Sequence, residues 1–173
     1  MSSINSTTMT RKKIHTISLL VSNKSGMLVR ISTLFSRRGF NIESLVVSPA
    51  LDGRFSRMTI TAHGDVDTLD QIVKQLNKLV DVLHASDHIQ DNCIEKEFAL
   101  IKIRVPQAQQ TQALTAIQHF KAQTVDIAAD CIVIQVAGNT EKIDSMVEFF
   151  NEYGILELIR TGKIVMARGT EGT

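Results

Sequence analysis

Apolar residues along this chain switch repeatedly between a strand-like and a helix-like period. "IHTISLLVS" (14–22) is a short apolar run of strand length. "GMLVRISTLFSRR" follows, with Leu28, Ile31, Leu34 and Phe35 at helical spacing. Gly39 predicts the end of that helix, because glycine tolerates a left-handed C-terminal cap. "FNIESLVVS" reads as a second strand, 49–53 as a turn, and "FSRMTITAH" as a third strand with Met58, Ile60 and Ala62 on one face. Asp65 or Asp67 suits the N-cap of a second helix, whose apolar stripe is Leu69, Ile72, Val73, Leu76 and Val80. "VLHASDHI" closes the unit as a fourth strand. The order is βαββαβ.

The same order then repeats. "DNCIEKE" (91–97) is polar and predicts a linker. In "FALIKIRV" the residues Ala99, Ile101, Ile103 and Val105 alternate on one face, and Pro106 stops the strand. Ala113, Ala116, Ile117 and Phe120 line a helix, and "AQTVDIA" and "CIVIQVAG" predict two more strands. Asn139 or Thr140 caps a helix carrying Ile143, Met146, Val147 and Phe150 at i, i+3, i+4 and i+7. "GILELIRTG" and "KIVMARG" predict a fourth strand and an added fifth. The fold class expected is α+β, with two ferredoxin-like βαββαβ sandwiches in tandem. Their bounds are a disordered tail over 1–13, a first domain over 14–90, the linker, and a second domain over 98–169. With two helices per unit, one face of each sheet is left uncovered, and an apolar face or edge of that kind predicts self-association.

Composition changes this picture little. A formal net charge of +1 supplies no electrostatic reason for a nucleic-acid or membrane-surface partner. Two cysteines with no CxxC spacing predict free thiols in a reducing compartment. The opening "MSSINSTTMTRKK" has no apolar core for a secretory signal and is short for a transit peptide. No apolar run nears the roughly 20 residues of a membrane span, and a cytoplasmic location is expected.

Candidate catalytic chemistry is sparse. The histidines 15, 63, 84, 88 and 119 form no HExxH and sit at no metal-ligand spacing from cysteine. There is no GxSxG elbow and no GxxxxGK[ST] loop. Cys131 falls on the face opposite Ile132's inward stripe and reads as a structural thiol. RNA-binding modules of this topology stack bases on aromatic residues of the central strands. Here those strands carry Ile, Thr, Ser and Val, and the chain has one Tyr and no Trp.

"NKSGMLVRISTLFSRRGFN" (23–41) is the stretch with binding potential. A helix N-terminus offers unpaired N–H groups and partial positive charge to a carboxylate, and Gly26 puts no side chain in the way. Asn23 and Asn41 each supply an acceptor and a donor, suited to the two charged ends of an amino acid. A helix over 27–38 separates them by about 18 Å, so one ligand meets both only between two protomers. The same residues also suit purely structural roles: a turn or N-cap, a loop glycine, a strand-edge amide.

The run "SNKSGMLVRISTLFSRRGFNIESLVV", with "SRMTI" and "QLNKLVDVL", resembles the N-terminal ACT domain of the small regulatory subunits of acetohydroxyacid synthase (acetolactate synthase). "EFALIKI", "VDI", "KIDSMVEFF", "GILELIRTG" and "ARG" resemble the C-terminal domain of that family, and together the match spans about 14–169 in order. The resemblance implies an ACT domain followed by an ACT-like domain, with no catalytic residues and no cofactor of their own. It implies a homodimer formed through the ACT domains, partnered with the large catalytic subunit. Thiamine diphosphate, magnesium and FAD would belong to that large subunit. It implies valine as feedback effector in branched-chain amino acid biosynthesis. Asn23, Gly26, Met27 and Leu28 would form one side of the valine site, and Asn41 and Ile42 of the other protomer the second side. Lys24 stands where the family often has an acidic or neutral residue, and Met27 where small aliphatic residues are common. The alternative is a free-standing ACT-domain amino-acid sensor of another pathway.

Overall fold

A computed structural model describes residues 13–88, 93–170 and 172. The tail expected over 1–13 lies outside these residues, except that Lys13 opens a strand. The first unit runs β1 (Lys13–Ser22), α1 (Met27–Arg37), β2 (Asn41–Pro49), β3 (Phe55–Gly64), α2 (Val66–Leu76) and β4 (Val82–Asp87). The second runs β5 (Cys93–Arg104), a 3-10 turn at Gln107–Gln109, α3 (Gln110–His119), β6 (Gln123–Ile127), β7 (Cys131–Gly138), α4 (Thr140–Asn151) and β8 (Ile155–Ala167). The sheets have the antiparallel orders β2-β3-β1-β4 and β6-β7-β5-β8. These are the two ferredoxin-like sandwiches that the repeated period predicts.

Each core sits between a sheet and its two helices. Ile17, Leu19 and Val21 of β1 and Met58, Ile60 and Ala62 of β3 lie beneath Ile31 and Phe35 of α1 and Leu69, Ile72 and Leu76 of α2. In the second unit Ala99, Ile101 and Ile103 join Ile132, Ile134 and Val136 beneath Ala113, Ile117, Ile143, Met146 and Phe150. Removing this much apolar surface from water is the main stabilising term. Asp65 caps α2 by accepting from the N–H of Thr68, and Asn139 caps α4 by accepting from that of Lys142. Asn139→Ala is therefore expected to lower stability by about 1 kcal/mol, measurable by denaturant unfolding.

Four sequence expectations shift. Leu28 does not face the core and is 43% exposed, while Met27 is 4% exposed. The inward line of α1 is Met27, Ile31 and Phe35, with Leu34 partly buried beside it, so only the first position of the expected stripe changes. Val80 is outside α2 and exposed, because Asn77 ends the helix. The Asn77 side chain donates to the carbonyls of Val73 and Ala85 and accepts from the N–H of Ala85, tying the chain reversal to β4. Residues 93–97 of the expected linker are strand: Cys93 to Glu97 pair with Ala167 to Lys163. The two expected C-terminal strands are one, β8, which passes through Gly162 at φ +79° where its register with β5 shifts.

The far face of the first sheet is also not apolar. Thr16, Ser18, Thr59 and Thr61 are buried on it. Ser18 Oγ lies 2.6 Å from His88 Nε2 and 3.1 Å from Ser86 Oγ, and Ser44 is hydrogen-bonded to Thr61. The distal half of β8 lies across β2 and β3, with Gly162 against Ser44. The open face of the second sheet holds Leu100, Val133 and Ile159 around the Lys102–Glu157 ion pair.

Candidate functional site

The turn between β1 and α1 is held by the loop that follows β2. Asn23 N–H donates to the carbonyl of Arg54 at 2.8 Å, and its side-chain Nδ2 donates to that of Gly53 at 3.0 Å. Asn23 is thus a turn anchor and not the N-cap of α1. The N-cap is Gly26, at φ +83°, and it has no side-chain capping bond. A Cβ at Gly26 would meet nothing within 4 Å, so the backbone at this helix start is open to an approaching group. The N–H of Met27 donates to the Lys24 carbonyl at 3.4 Å, and the positive end of the helix dipole lies at this start.

The neighbouring cations are already engaged. Lys24 Nζ and Arg30 Nη1 contact the two oxygens of Asp81 at 3.0 and 3.1 Å. The hydrogen bond from Lys24 holds the Asp81 carboxyl below the usual carboxylate range, with the charges of Lys24 and Arg30 adding to it. Lys24 is therefore drawn toward Asp81, beside the helix start.

The other predicted residues fall in two places. Met27 has its side chain in the core, so only its backbone belongs to the helix-start surface. Leu28 is half-exposed beside Gly26. Asn41 begins β2, which is an edge of its sheet, and its Nδ2 donates to Glu43 Oε1 at 2.9 Å. Ile42 packs partly buried against the core. The eleven residues of α1 span about 16 Å. Within one chain, then, the Asn23–Leu28 group and the Asn41–Ile42 group stand at opposite ends of α1.

Sequence reasoning missed a second constellation, between the two units. Glu97 of β5 is 4% exposed and accepts from Arg160 Nε at 2.6 Å and Nη2 at 3.0 Å. Arg160 Nη1 donates to Asp144 of α4 at 2.7 Å. These groups line a cleft of about 430 Å³ whose opposite wall is Ser44, Thr61 and His63 of the first sheet. The bidentate contact with Glu97 raises the pKa of the Arg160 guanidinium still further. Reading "EKE" as linker hid this pairing. The alternation of Glu95 and Glu97 with Ile94 was the one signal of a strand. Among the described residues, no group of three or more His, Cys, Asp or Glu is placed to hold a metal ion. None of their helices is long and apolar enough to cross a membrane.

Two ferredoxin-like sandwiches, the first with a glycine-opened helix start and a free β2 edge, make this an ACT-type protein. Residues 17–84 match the family model of the AHAS small subunit-like ACT domain, and residues 96–169 that of the small subunit of acetolactate synthase. A probable acetolactate synthase small subunit of Archaeoglobus fulgidus is 41% identical over 157 residues, covering 91% of this chain and 98% of that one. The acetolactate synthase small subunit of Mycolicibacterium smegmatis is 40% identical over 158 residues, covering 91% and 93%. The crystal structure of the acetolactate synthase small subunit from Thermotoga maritima superposes with a TM-score of 0.82 at 32% identity, covering 92% of this chain and 99% of that one. The chain belongs to the acetolactate synthase small-subunit family. Its architecture is that of a regulatory, ACT-type subunit and not of the catalytic chain.

Proposed function

We propose that this chain forms a homodimer through its ACT domains, binds valine between the protomers, and thereby controls the large catalytic subunit of acetolactate synthase. The observation that carries the reading is the uncapped start of α1 at Gly26, open in front of its backbone. The chain runs along α1 away from Gly26 and returns along β2 from Asn41 to Pro49. Antiparallel pairing of two β2 edges therefore sets Asn41 of one protomer level with the helix start of its partner. A valine carboxylate suits the α1 N–H groups, and the amides of Asn23 and Asn41 suit its two charged ends. Leu28 and Ile42 supply apolar surface for the side chain. Met27 acts through its backbone. The chain activates the large subunit and confers feedback inhibition on it, with thiamine diphosphate, magnesium and FAD held by that subunit. It acts in the cytoplasm.

The test is large-subunit activity with and without this chain across a valine titration. Asn41→Ala should remove a hydrogen bond to a charged ligand group and weaken valine binding roughly 10- to 150-fold, from a loss of about 1.5–3 kcal/mol. Activation of the large subunit should be retained. An unchanged valine response in this variant would sink the site. Valine can inhibit only by binding one state of the assembly better than another, so calorimetry should give different affinities for the chain alone and in the complex.

A further inference from the structure

The outer surface of the first unit's helix layer carries a groove that neither the valine site nor the β2 edge uses. It runs between α1 and the end of α2, encloses about 560 Å³, and is floored by Val29, Leu34 and Leu79. Leu34 and Leu79 are the outer fringe of the first core, while Val29 is 66% exposed. Arg30, Arg37 and Arg38 rim it, and no carboxylate lines it. Arg30 is held by Asp81, and Arg38 Nη1 donates to Gln71 Oε1 at 2.9 Å across the two helices. Arg37 has no ion-pair partner among the described residues.

A cationic residue at the end of a helix needs no partner beyond the helix dipole, and Arg37 and Arg38 satisfy that. Asp81 accounts for Arg30, in the first turns of the same helix, but neither that pair nor the dipole accounts for the apolar floor, of which Val29 is 66% exposed. Arginines around an apolar strip are the composition of a protein interface, since the guanidinium forks recognise carboxylates and the strip takes an anchor side chain. Arg30 and Arg38 stand eight residues apart on α1, about 12 Å along its axis, and reach different partners, Asp81 and Gln71, which favours an extended segment over a small anion. Edge-to-edge pairing through β2 leaves this surface, on the far side of the helices, uncovered.

We propose that the α1–α2 groove docks an acidic segment of the large catalytic subunit, with an apolar side chain seated on Val29, Leu34 and Leu79 and carboxylates at Arg30, Arg37 and Arg38. This rests on the partnership put forward above. It places the contact with the enzyme on the same helix whose start takes the effector, so a shift of α1 is felt at both.

The experiment measures binding of the purified large subunit to the full chain by biolayer interferometry over a salt series. Wild type is compared with Arg37→Glu/Arg38→Glu, with the neutral Arg37→Gln/Arg38→Gln, and with Lys121→Glu on the second unit as a charge control. The reversal is expected to weaken binding at least about tenfold and the neutral pair less, with both flattening the salt dependence. The control should bind as wild type; the Glu pair should melt somewhat lower, because it opposes the α1 dipole and loses the bond to Gln71, while all variants stay folded and keep wild-type valine affinity. Should the reversal misfold, the neutral pair alone carries the comparison. Wild-type affinity and salt slope in the reversed variant, or an equal loss in Lys121→Glu, would overturn the groove while leaving the regulatory reading intact. A change in the oligomeric state of the chain alone, seen by light scattering, would make the groove a contact between copies and overturn the proposal. No complex with wild type at all would overturn the partnership and the groove together.

Discussion

Arg160→Met is expected to destabilise the chain by about 3–5 kcal/mol, because it strands the Glu97 carboxylate in a nearly closed position. Glu97 lies on β5 and Arg160 on the adjacent β8, and the guanidinium meets both carboxylate oxygens in a fork. Glu97 is brought out of water while Arg160 stays 29% exposed, and a carboxylate so enclosed is tolerated only while a partner neutralises it. Arg160→Lys should lose an intermediate amount, since an ammonium cannot reproduce the two parallel bonds. The double change Glu97→Gln/Arg160→Met should recover most of the loss, as neither charge then remains. Urea unfolding of the three variants measures this. A loss under about 1 kcal/mol in Arg160→Met would mean that Glu97 finds water through the cleft.

Gly162→Ala is expected to cost about 2–4 kcal/mol, from two separable causes. At φ +79° an L side chain is strained, and a Cβ there would overlap Cβ and Oγ of Ser44. Ser44 Cβ is bonded directly to the β2 backbone and cannot swing aside, although Oγ can turn about χ1. The combination Gly162→Ala/Ser44→Gly should relieve the steric part and leave the backbone strain of about 1–2 kcal/mol. Ser44→Gly also loses the bond to Thr61, so it is measured alone as well, and strictly additive losses would show that β8 does not press on β2. The contact matters for function because Ser44 stands three residues after Asn41 on the strand proposed to reach the partner's effector site.

Much of the fold was legible because its signals are local. A strand buried on one face must alternate, as Ile17, Leu19 and Val21 do, and a helix on that face must repeat near 3.6, as Ile143, Met146 and Phe150 do. The misreadings arise where a neighbour distant in sequence decides. Leu28 and Met27 are both apolar and adjacent, and only the sheet beneath α1 selects which of them turns inward. Val80 continues the apolar stripe of α2, but the bonds from Asn77 to Ala85 end the helix before it. "EKE" is polar enough for a linker and becomes strand because β8 lies alongside to pair with it.

The sequence by itself determined the doubled βαββαβ order, the inward faces of its strands, the glycine-opened start of α1 and the family. These follow from periodicity, turn chemistry and residue identity, which are properties of short segments. Tertiary structure alone decided that Asn23 is tied to Gly53, that Met27 is core, and that Glu97, Arg160 and Asp144 meet. It also decided that β8 crosses the hydroxyl-lined face of the first sheet at Gly162. Each of these depends on which surfaces are brought together across dozens of residues, where burial and charge compensation act and local pattern carries no record of the partner.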